Sequence, residues 1–382
     1  MAAPLQNRLA FIDNLRWVMI VLVVSMHAAV TYSHLGSWYF MEEPKPDNRG
    51  TLLLFAYYQM GLQAFFMGLL FFIAGYFVPE AFDRKGGRTF LRDRFVRLGI
   101  PSLFYMLVVH PFIVFWLLRD YHKVNGAFWT SYIGYLGSFR FVGSSGPMWF
   151  TLALFAFCLI YFLVRKAGGD ARPGAPDAPL PTQAQLLVFT LVLGLCTVLV
   201  RIVQPIGSNI LNMHLCFFSQ CLLLFSVGIL ARRRGWLLRL SYELGIRWFR
   251  LALLPGSLMW LAAVVAIAAT HTERSALGGF TWQSAAVCFW ESFFCVGVCL
   301  GLIVVFREKF NRQGGFARWM TDNCFAVYLF HAPVLIAVTL GMHGLVAPKL
   351  LKFLLATVLG VLTTYVASHF VFRRIPLLQR VL

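Results

Sequence analysis

The sequence contains few charged residues. Asp, Glu, Lys and Arg make up only 13% of its 382 positions, whereas a soluble domain carries about a quarter. Acidic residues are the scarcest, with 15 against 33 basic ones. Because 59% of the residues are hydrophobic and the mean hydropathy is +0.73, this composition excludes an ordinary soluble domain. It predicts an all-α polytopic membrane protein.

The sequence also lacks a CxxC pair. Its eight cysteines lie within or at the ends of apolar runs, and we interpret them as small buried hydrophobic residues. Cys295 and Cys299 share a helix face but have no third ligand nearby, so we predict no metal site. The net charge of +18 is spread between the apolar runs, so nucleic acid is not an expected partner. The first apolar run lacks the cleavage site that is typical of a signal peptide.

Ten apolar runs are long enough to cross a bilayer. Because backbone groups must be satisfied internally in lipid, each run is predicted to be a helix. We expect one transmembrane domain over residues 1–382, with the Pro-, Gly- and Ala-rich stretch 165–183 as a flexible inner linker. The runs lie at about 14–35, 52–79, 97–118, 148–166, 184–203, 208–231, 250–270, 284–306, 322–341 and 346–372.

The distribution of basic residues predicts the orientation. If the N-terminus is placed inside, 24 of the 33 Lys and Arg residues fall on the inner side. The positive-inside rule therefore predicts that both termini are cytoplasmic. The stretch 232–250 mixes Arg with Trp, Leu and Phe, and it is either an interfacial helix on anionic lipid or a topology anchor.

Two ionisable residues interrupt the first apolar run. Arg16 and His27 are eleven residues apart, so on a helix they fall within about 20° of one another and about 16 Å apart along the axis. Arg16 is then near the cytoplasmic mouth and His27 near mid-membrane. Asp13, one turn earlier, can cap the helix or orient the guanidinium. Snorkelling alone explains Arg16, whereas a histidine in hydrocarbon more often marks a functional site.

A cluster of arginines opens the third run, RDRFVRLGIP (92–101). Arg94 and Arg97 are predicted to share one helix face at the inner interface. Guanidinium groups bind phosphates through paired hydrogen bonds, so this pair is a candidate phosphate site. Positive-inside anchoring is the alternative explanation of the same positions.

Further polar and aromatic residues lie in later runs. His331 in the ninth run is about as deep as His27, and Tyr328 is one turn before it on the same face. Glu291 in the eighth run needs either a cation or a proton there. For these residues, function and structural hydrogen bonding are both open. Trp149 opens the fourth run and is either an interfacial belt residue or a stacking platform for an acceptor sugar.

Together, these segments resemble the integral-membrane acyltransferase-3 family, which includes glucan-modifying members. The similarity rests on Arg, ten residues, then His in the first run, and on Arg-x-x-Arg in RFVR (94–97). It also rests on FFMGLLFFIAGYF (65–77), MWFTLALF (148–155) and YLFHAPVL (328–335). It covers nearly the whole chain in order. Ala74 departs from the family, in which a serine before the glycine is common.

The resemblance implies an acyltransferase of the bacterial inner membrane that transfers acyl groups other than aminoacyl groups. It would move an acyl group, most readily acetyl, from cytoplasmic acyl-CoA to a hydroxyl of a carbohydrate or another small molecule, without a metal. The roles it implies are donor binding by Asp13, Arg16, Arg94 and Arg97, general-base catalysis by His27, hydrogen-bond donation to the oxyanion by Tyr328 or His331, and acceptor contacts by Glu291 and Trp149.

Two other functional classes fit part of the sequence. A proton-coupled solute transporter or exporter would use His27, His331 and Glu291 as a proton relay. Against it, the sequence has no internal repeat, and the arginine cluster lies at one mouth. Solute uptake by vesicles without acyl-CoA would favour this class. A structural or sensory membrane protein predicts that none of these ionisable groups matters.

Overall fold

The computed structural model of the chain describes residues 9–46, 48–124, 126–168, 174–175 and 177–375. Within these residues, ten helices are long and apolar enough to cross a membrane, which confirms the predicted all-α polytopic architecture. In chain order they are α1 (Ala10–Ser33), α2 (Arg49–Lys85), α3 (Gly87–Leu117), α4 (Gly146–Ala167), α5 (Gln183–Val203), α6 (Leu215–Arg233), α7 (Tyr242–Ala269), α8 (Trp282–Lys309), α9 (Gly315–Gly341) and α10 (Lys349–Arg374).

The helices extend beyond the predicted apolar runs at one end of the bundle. We call this the basic end; it is the end at which α1, α3, α5, α7 and α9 begin. There α3 begins at Gly87 rather than 97, and α9 begins at Gly315 rather than 322. Hydropathy falls where the arginines appear, but the backbone hydrogen bonds of a helix continue into the headgroup region. At the basic end, the predicted runs are therefore shorter than the helices.

Two sequence predictions concern segments at the basic end. The stretch 232–250 is not one interfacial helix, because it contains the single turn Trp236–Arg239 and then the first turns of α7. Of the predicted linker 165–183, residues 169–173 and 176 lie outside the described residues, as do the chain ends 1–8 and 376–382. The cytoplasmic location of both termini stays a prediction.

Polar side chains start several helices. Asn48, Ser241 and Thr281 accept hydrogen bonds from the first-turn N–H groups of α2, α7 and α8. Thr182 and Gln185 form a reciprocal capping box at α5. Such caps satisfy N–H groups that have no partner inside the helix. The points at which these four helices begin are therefore encoded locally.

The most buried spans, α1, α2 and α8, lie at the centre of the bundle. α1 contacts α2, α8, α9 and α10, whereas α2 contacts α6, and α8 contacts α5 and α7. One apolar cluster is built mainly from α2, α6 and α8, and a second from α1, α3, α9 and α10. Because α1 contributes to both clusters, its polar residues lie in the middle of the protein.

α3 is not a regular α-helix. It contains π-helical turns at Phe95–Gly99, Tyr105–Val109 and Ile113–Leu117. Pro101 and Pro111 follow the first two turns. Proline has no N–H to donate and clashes with the carbonyl four residues earlier, so the preceding turn widens.

The irregular backbone of α3 has carbonyl groups that need other partners. Tyr135 and Tyr132 lie on the short helix Phe128–Gly137, and their hydroxyls donate to the carbonyls of Met106 (2.6 Å) and Leu107 (3.1 Å). These acceptors lie just before Pro111. An unpaired carbonyl is costly in hydrocarbon, so the short helix compensates for the proline.

Two glycines let α2 and α6 approach closely. A Cβ added at Gly75 would lie 2.2 Å from the carbonyl oxygen of Phe225, and one added at Gly228 would lie 2.2 Å from that of Phe72. Small residues allow such close backbone contacts between helices in membranes. The contact fixes α2 at the centre of the bundle.

We predict that Gly75→Ala and Gly228→Ala each destabilise the protein by about 1–3 kcal/mol, because the methyl group would meet backbone that cannot move independently. Thermal unfolding in detergent measures the effect. Gly341→Ala is the matched control, since a Cβ at this helical glycine meets no atom within 4 Å. Equal melting temperatures for the three variants would contradict the close-packing argument.

Candidate functional site

A cavity of about 1160 Å³ runs through the bundle. At the basic end its walls include Asp13, Arg16 and Arg94, and at the opposite end they include residues of the 206–214 and 276–277 segments. His27 lines it between the two ends. The volume is sufficient for a small-molecule site, and the cavity is the space that joins the two ends.

α1 presents one continuous face to this cavity. Arg16, Ile20, Val23, His27 and Val30 all line it, at the three- and four-residue intervals of one helix face. The eleven-residue spacing therefore has the predicted result, because Arg16 and His27 face the same space. Their separation along the axis is about 16 Å.

Arg16 and Arg94 line the cavity at its basic end. The Arg16 guanidinium is 3.3 Å from Asp13, lies over the Phe77 ring at 4.9 Å, and keeps 38% of its side chain exposed. Arg94 lies over the Phe90 ring at 5.2 Å and has no salt bridge with a carboxylate of the described residues. Both guanidinium groups can therefore form further hydrogen bonds at the basic end.

Arg97 does not join Arg94 on the cavity wall. It is exposed and is not among the cavity-lining residues. Arg97 belongs to the π turn Phe95–Gly99, and a π-helix rotates less per residue than an α-helix. Of the two arginines, only Arg94 lines the cavity. That they share a face stays a prediction, and it assumed regular α-helical rotation, which the π turn changes.

His27 and His331 are neighbours. Their ring centroids are 5.2 Å apart and the planes differ by 13°. Nδ1 of the fully buried His331 lies 2.8 Å from the carbonyl oxygen of Tyr328. Since a carbonyl only accepts, Nδ1 carries the proton and Nε2 is an acceptor. That Nε2 has no partner among the described residues, and neither has the imidazole of His27 a hydrogen bond to any of them.

Tyr328 lines the cavity, but its hydroxyl is already engaged. It donates to the carbonyl of Pro147, at the start of α4. Its proton is thus used within the protein, and His331 presents an acceptor on its free side. In this arrangement neither residue offers a free hydrogen to an oxyanion, so the geometry does not favour the role predicted for them.

Trp149 lies at the start of α4 and lines the cavity. Its ring centroid is 6.2 Å from that of Phe218. It therefore borders the internal space, as a stacking platform would require. Ala74, the position at which the family commonly has serine, also lines the cavity, so the missing hydroxyl would have faced the same space.

Glu291 lines the cavity and forms a buried ion pair that sequence reasoning missed. Its Oε2 lies 2.5 Å from Nη2 of Arg201, a residue with no exposed surface. Arg201 lies in the last turn of α5. The signal in the sequence was an arginine, Arg201, inside an apolar run. Glu291, in another apolar run, needed a cation as its partner.

Trp38 was also missed. Its ring stacks on that of His27, with centroids 3.8 Å apart and planes differing by 12°. Trp38 belongs to the segment between α1 and α2, which has no helical periodicity from which its direction can be read. The available signal was the aromatic sequence WYF (38–40) in a polar stretch.

The opposite half of the cavity has a different charge from the basic end. Within the described residues, Arg16 and Arg94 are the lysine or arginine side chains that line the cavity, and both lie at the basic end. His214 lines the far end. Burial lowers its pKa and so favours the neutral imidazole, although a hydrogen bond to the Ser208 backbone opposes that shift. The far half therefore combines neutral polar groups with the Glu291 ion pair.

A model of the acyltransferase-3 family, described as an acyltransferase domain, matches residues 9–369. This range includes α1 to α9, most of α10 and every residue of the cavity wall. No curated protein and no solved structure matches the chain.

We predict that Glu291→Leu destabilises the protein by about 3–5 kcal/mol, because it leaves the Arg201 guanidinium buried without a counter-charge. Arg201→Met combined with Glu291→Leu should cost less than Glu291→Leu alone. Thermal unfolding of the purified protein checks both. Asp83→Asn is the control, since it breaks the more exposed pair with Arg165 and should change stability little. A double variant that is less stable than Glu291→Leu would contradict this view of the pair.

Proposed function

This chain belongs to the acyltransferase-3 family, and from that premise we propose that it is a membrane O-acyltransferase with acyl-CoA as the donor. The donor enters from the cytoplasm, and acetyl-CoA is the most suitable one. The acceptor is a hydroxyl of a carbohydrate or another small molecule on the far side of the bacterial inner membrane. The observation that carries the proposal is the cavity that joins two arginines, a central histidine and the opposite end.

The basic end suits the phosphates of CoA. Arg16 and Arg94 line the same mouth, and guanidinium groups bind phosphates through charge-assisted hydrogen bonds. We assign this end to the cytoplasm, in agreement with the positive-inside rule. Arg97, outside the cavity, is available to the nucleotide part of the donor that remains at the surface. Asp13 orients Arg16 through their ion pair.

The pantetheine arm would extend along the face of α1 between Arg16 and His27. That face is apolar between the two residues, with Ile20 and Val23 on it. The axial offset of about 16 Å suits an extended arm. The thioester then lies near mid-membrane, where water is excluded and hydrolysis of the donor is limited.

His27 serves as the general base. Its imidazole faces the cavity and has no hydrogen-bond partner among the described residues, so it is free to accept the proton of the acceptor hydroxyl. The hydroxyl oxygen attacks the thioester carbonyl, the new C–O bond forms, and the C–S bond breaks. The proton then passes to the CoA thiolate. An acyl-enzyme on His27 is the alternative route, in which the imidazole attacks the thioester first.

The far half of the cavity favours an uncharged acceptor. Its lining includes the neutral side chains of Gln59, Asn209 and His214, together with Glu291 in its ion pair. No lysine or arginine of the described residues lines this half to bind an anionic group. Hydroxyl-rich compounds match such a surface, and Trp149 offers a ring on which a sugar can stack.

We predict that Arg94→Ala raises the KM for acetyl-CoA at least tenfold, because one charge-assisted contact to phosphate contributes about 1.5–3 kcal/mol. The measurement is the rate of CoA release or acyl transfer by the purified protein over a range of acetyl-CoA concentrations. Arg97→Ala should have a smaller effect. Arg88→Ala, which removes an exposed arginine of the same helix, should have none. An unchanged KM in Arg94→Ala would show that this residue does not bind the donor.

We predict that His27→Gln lowers kcat by about 10²–10⁴-fold, the range attributed to a lost general base, while binding of acetyl-CoA is retained. Rates and equilibrium binding of labelled acetyl-CoA measure the two effects separately. His369→Gln is the control, since that histidine lies in α10 away from the cavity. Full activity in His27→Gln would remove the base from the mechanism.

A further inference from the structure

Three rings meet around His27. Trp38 lies face to face with it, and the centroid distances are 3.8 Å for Trp38–His27, 5.2 Å for His27–His331 and 6.3 Å for Trp38–His331. All three planes are within 13° of one another. These distances form a triangle that has almost a right angle at His27. Since Trp38 covers the face of the imidazole, His331 lies beside its edge.

Trp38 is not held by a hydrogen bond of its own. Its indole N–H is buried and has no partner among the described residues. An unpaired buried donor costs free energy, so the surrounding structure must impose this position. The neighbouring residues in the chain supply two anchors, one on each side.

The first anchor is a buried ion cluster at the end of the bundle opposite the basic end. Glu42 lies four residues after Trp38, and its Oε1 accepts hydrogen bonds from Lys349 (3.0 Å) and Lys352 (2.7 Å). Glu42 and Lys352 are each only 2% exposed. The backbone N–H of Glu42 also donates to the carbonyl of Thr31 at 2.9 Å. The cluster therefore ties the segment that carries Trp38 to both α1 and α10.

The second anchor is Tyr39, the residue after Trp38. Its hydroxyl lies 2.8 Å from Nδ1 of His110 and accepts a hydrogen bond from Tyr105 at 3.2 Å. Burial raises the pKa of Tyr39, so its hydroxyl keeps the proton that it donates to His110. This chain of contacts ties the same segment to α3. Trp38 is thus fixed between contacts to three helices.

We propose that Trp38 is a positioning residue for His27. It covers one face of the imidazole and so prevents rotation of the ring, which keeps the imidazole at the cavity wall with its edge beside His331. Its electron-rich face also stabilises the imidazolium that forms when His27 takes a proton. The Glu42–Lys349–Lys352 cluster keeps Trp38 in place. This inference rests on the proposed function, in which His27 is the base.

Other roles for Trp38 lead to different results. If it only packs, its removal lowers stability and leaves kcat unchanged. If it is a stacking platform for the acceptor, its removal raises the KM for the acceptor. If it positions His27, its removal lowers kcat, leaves the KM for acetyl-CoA unchanged, and is largely rescued by another aromatic ring.

The kinetic test uses the full-length protein in nanodiscs, with acetyl-CoA as the probe and CoA release as the readout. We expect Trp38→Leu to lower kcat about tenfold or more, since small displacements of a catalytic group have effects of that size. The KM for acetyl-CoA should stay within about twofold. Trp38→Phe should restore most of the rate. Trp116→Leu is the control, because that tryptophan is 62% exposed on α3. An unchanged kcat in Trp38→Leu would overturn the proposal.

A second readout does not depend on activity. In protein labelled at histidine, NMR should show an upfield ring-current shift of the His27 imidazole protons, whose signals are identified by their absence from His27→Gln. The shift should disappear in Trp38→Leu. If it persists, the stack is not formed by Trp38 and the inference fails. If the shift is present but the wild-type protein neither transfers acetyl groups nor releases CoA, the proposed function fails while the stack stands.

The anchoring cluster is tested by Glu42→Gln. This change keeps the side-chain shape and leaves the buried Lys352 and the half-buried Lys349 without their carboxylate. We expect the His27 ring-current shift to weaken and kcat to fall as in Trp38→Leu. Glu43→Gln is the matched control, because its side chain is 75% exposed. Unchanged kcat and an unchanged shift in Glu42→Gln would show that the cluster does not hold Trp38.

Discussion

The structure depends on one constraint, which is that polar groups inside hydrocarbon must find partners within the protein. Pro111 of α3 is tolerated because the hydroxyls of Tyr132 and Tyr135 donate to carbonyls just before it. Arg201 is buried in α5 because Glu291 faces it from α8. The same constraint places two lysines of α10 around Glu42. In each case, satisfying a polar group also fixes how two segments pack.

Three groups without such partners lie on or beside the cavity wall. The His27 imidazole, Nε2 of His331 and the Arg94 guanidinium lack polar or ionic partners among the described residues. Unsatisfied groups in the membrane are costly, and in the proposed function another molecule supplies the missing contacts. For Arg94 an anion would do so, and for His27 a hydroxyl would.

The ten helices could be predicted because each apolar run needs to span the same thickness of hydrocarbon. The shared face of Arg16 and His27 was equally predictable, because α1 is a regular helix with one rotation per residue. The direction of Arg97 was less predictable, because the π turn that contains it changes that rotation. Trp38 and Arg201 were missed because their roles arise from contacts between segments distant in sequence. The periodicity of one helix predicts which of its residues share a face. It does not predict which faces of different segments pack against each other.

In the proposed function, the position of His27 suits a transmembrane acyl transfer. CoA carries several negative charges, and moving them across hydrocarbon would be prohibitive. If the phosphates stay at Arg16 and Arg94, only the neutral arm has to enter, and the α1 face beyond Arg16 is apolar as far as His27. In this proposal the acceptor approaches through the half of the cavity that no lysine or arginine of the described residues lines. A base near mid-membrane is therefore the one position that both substrates can reach while the charges of the donor remain at their own surface.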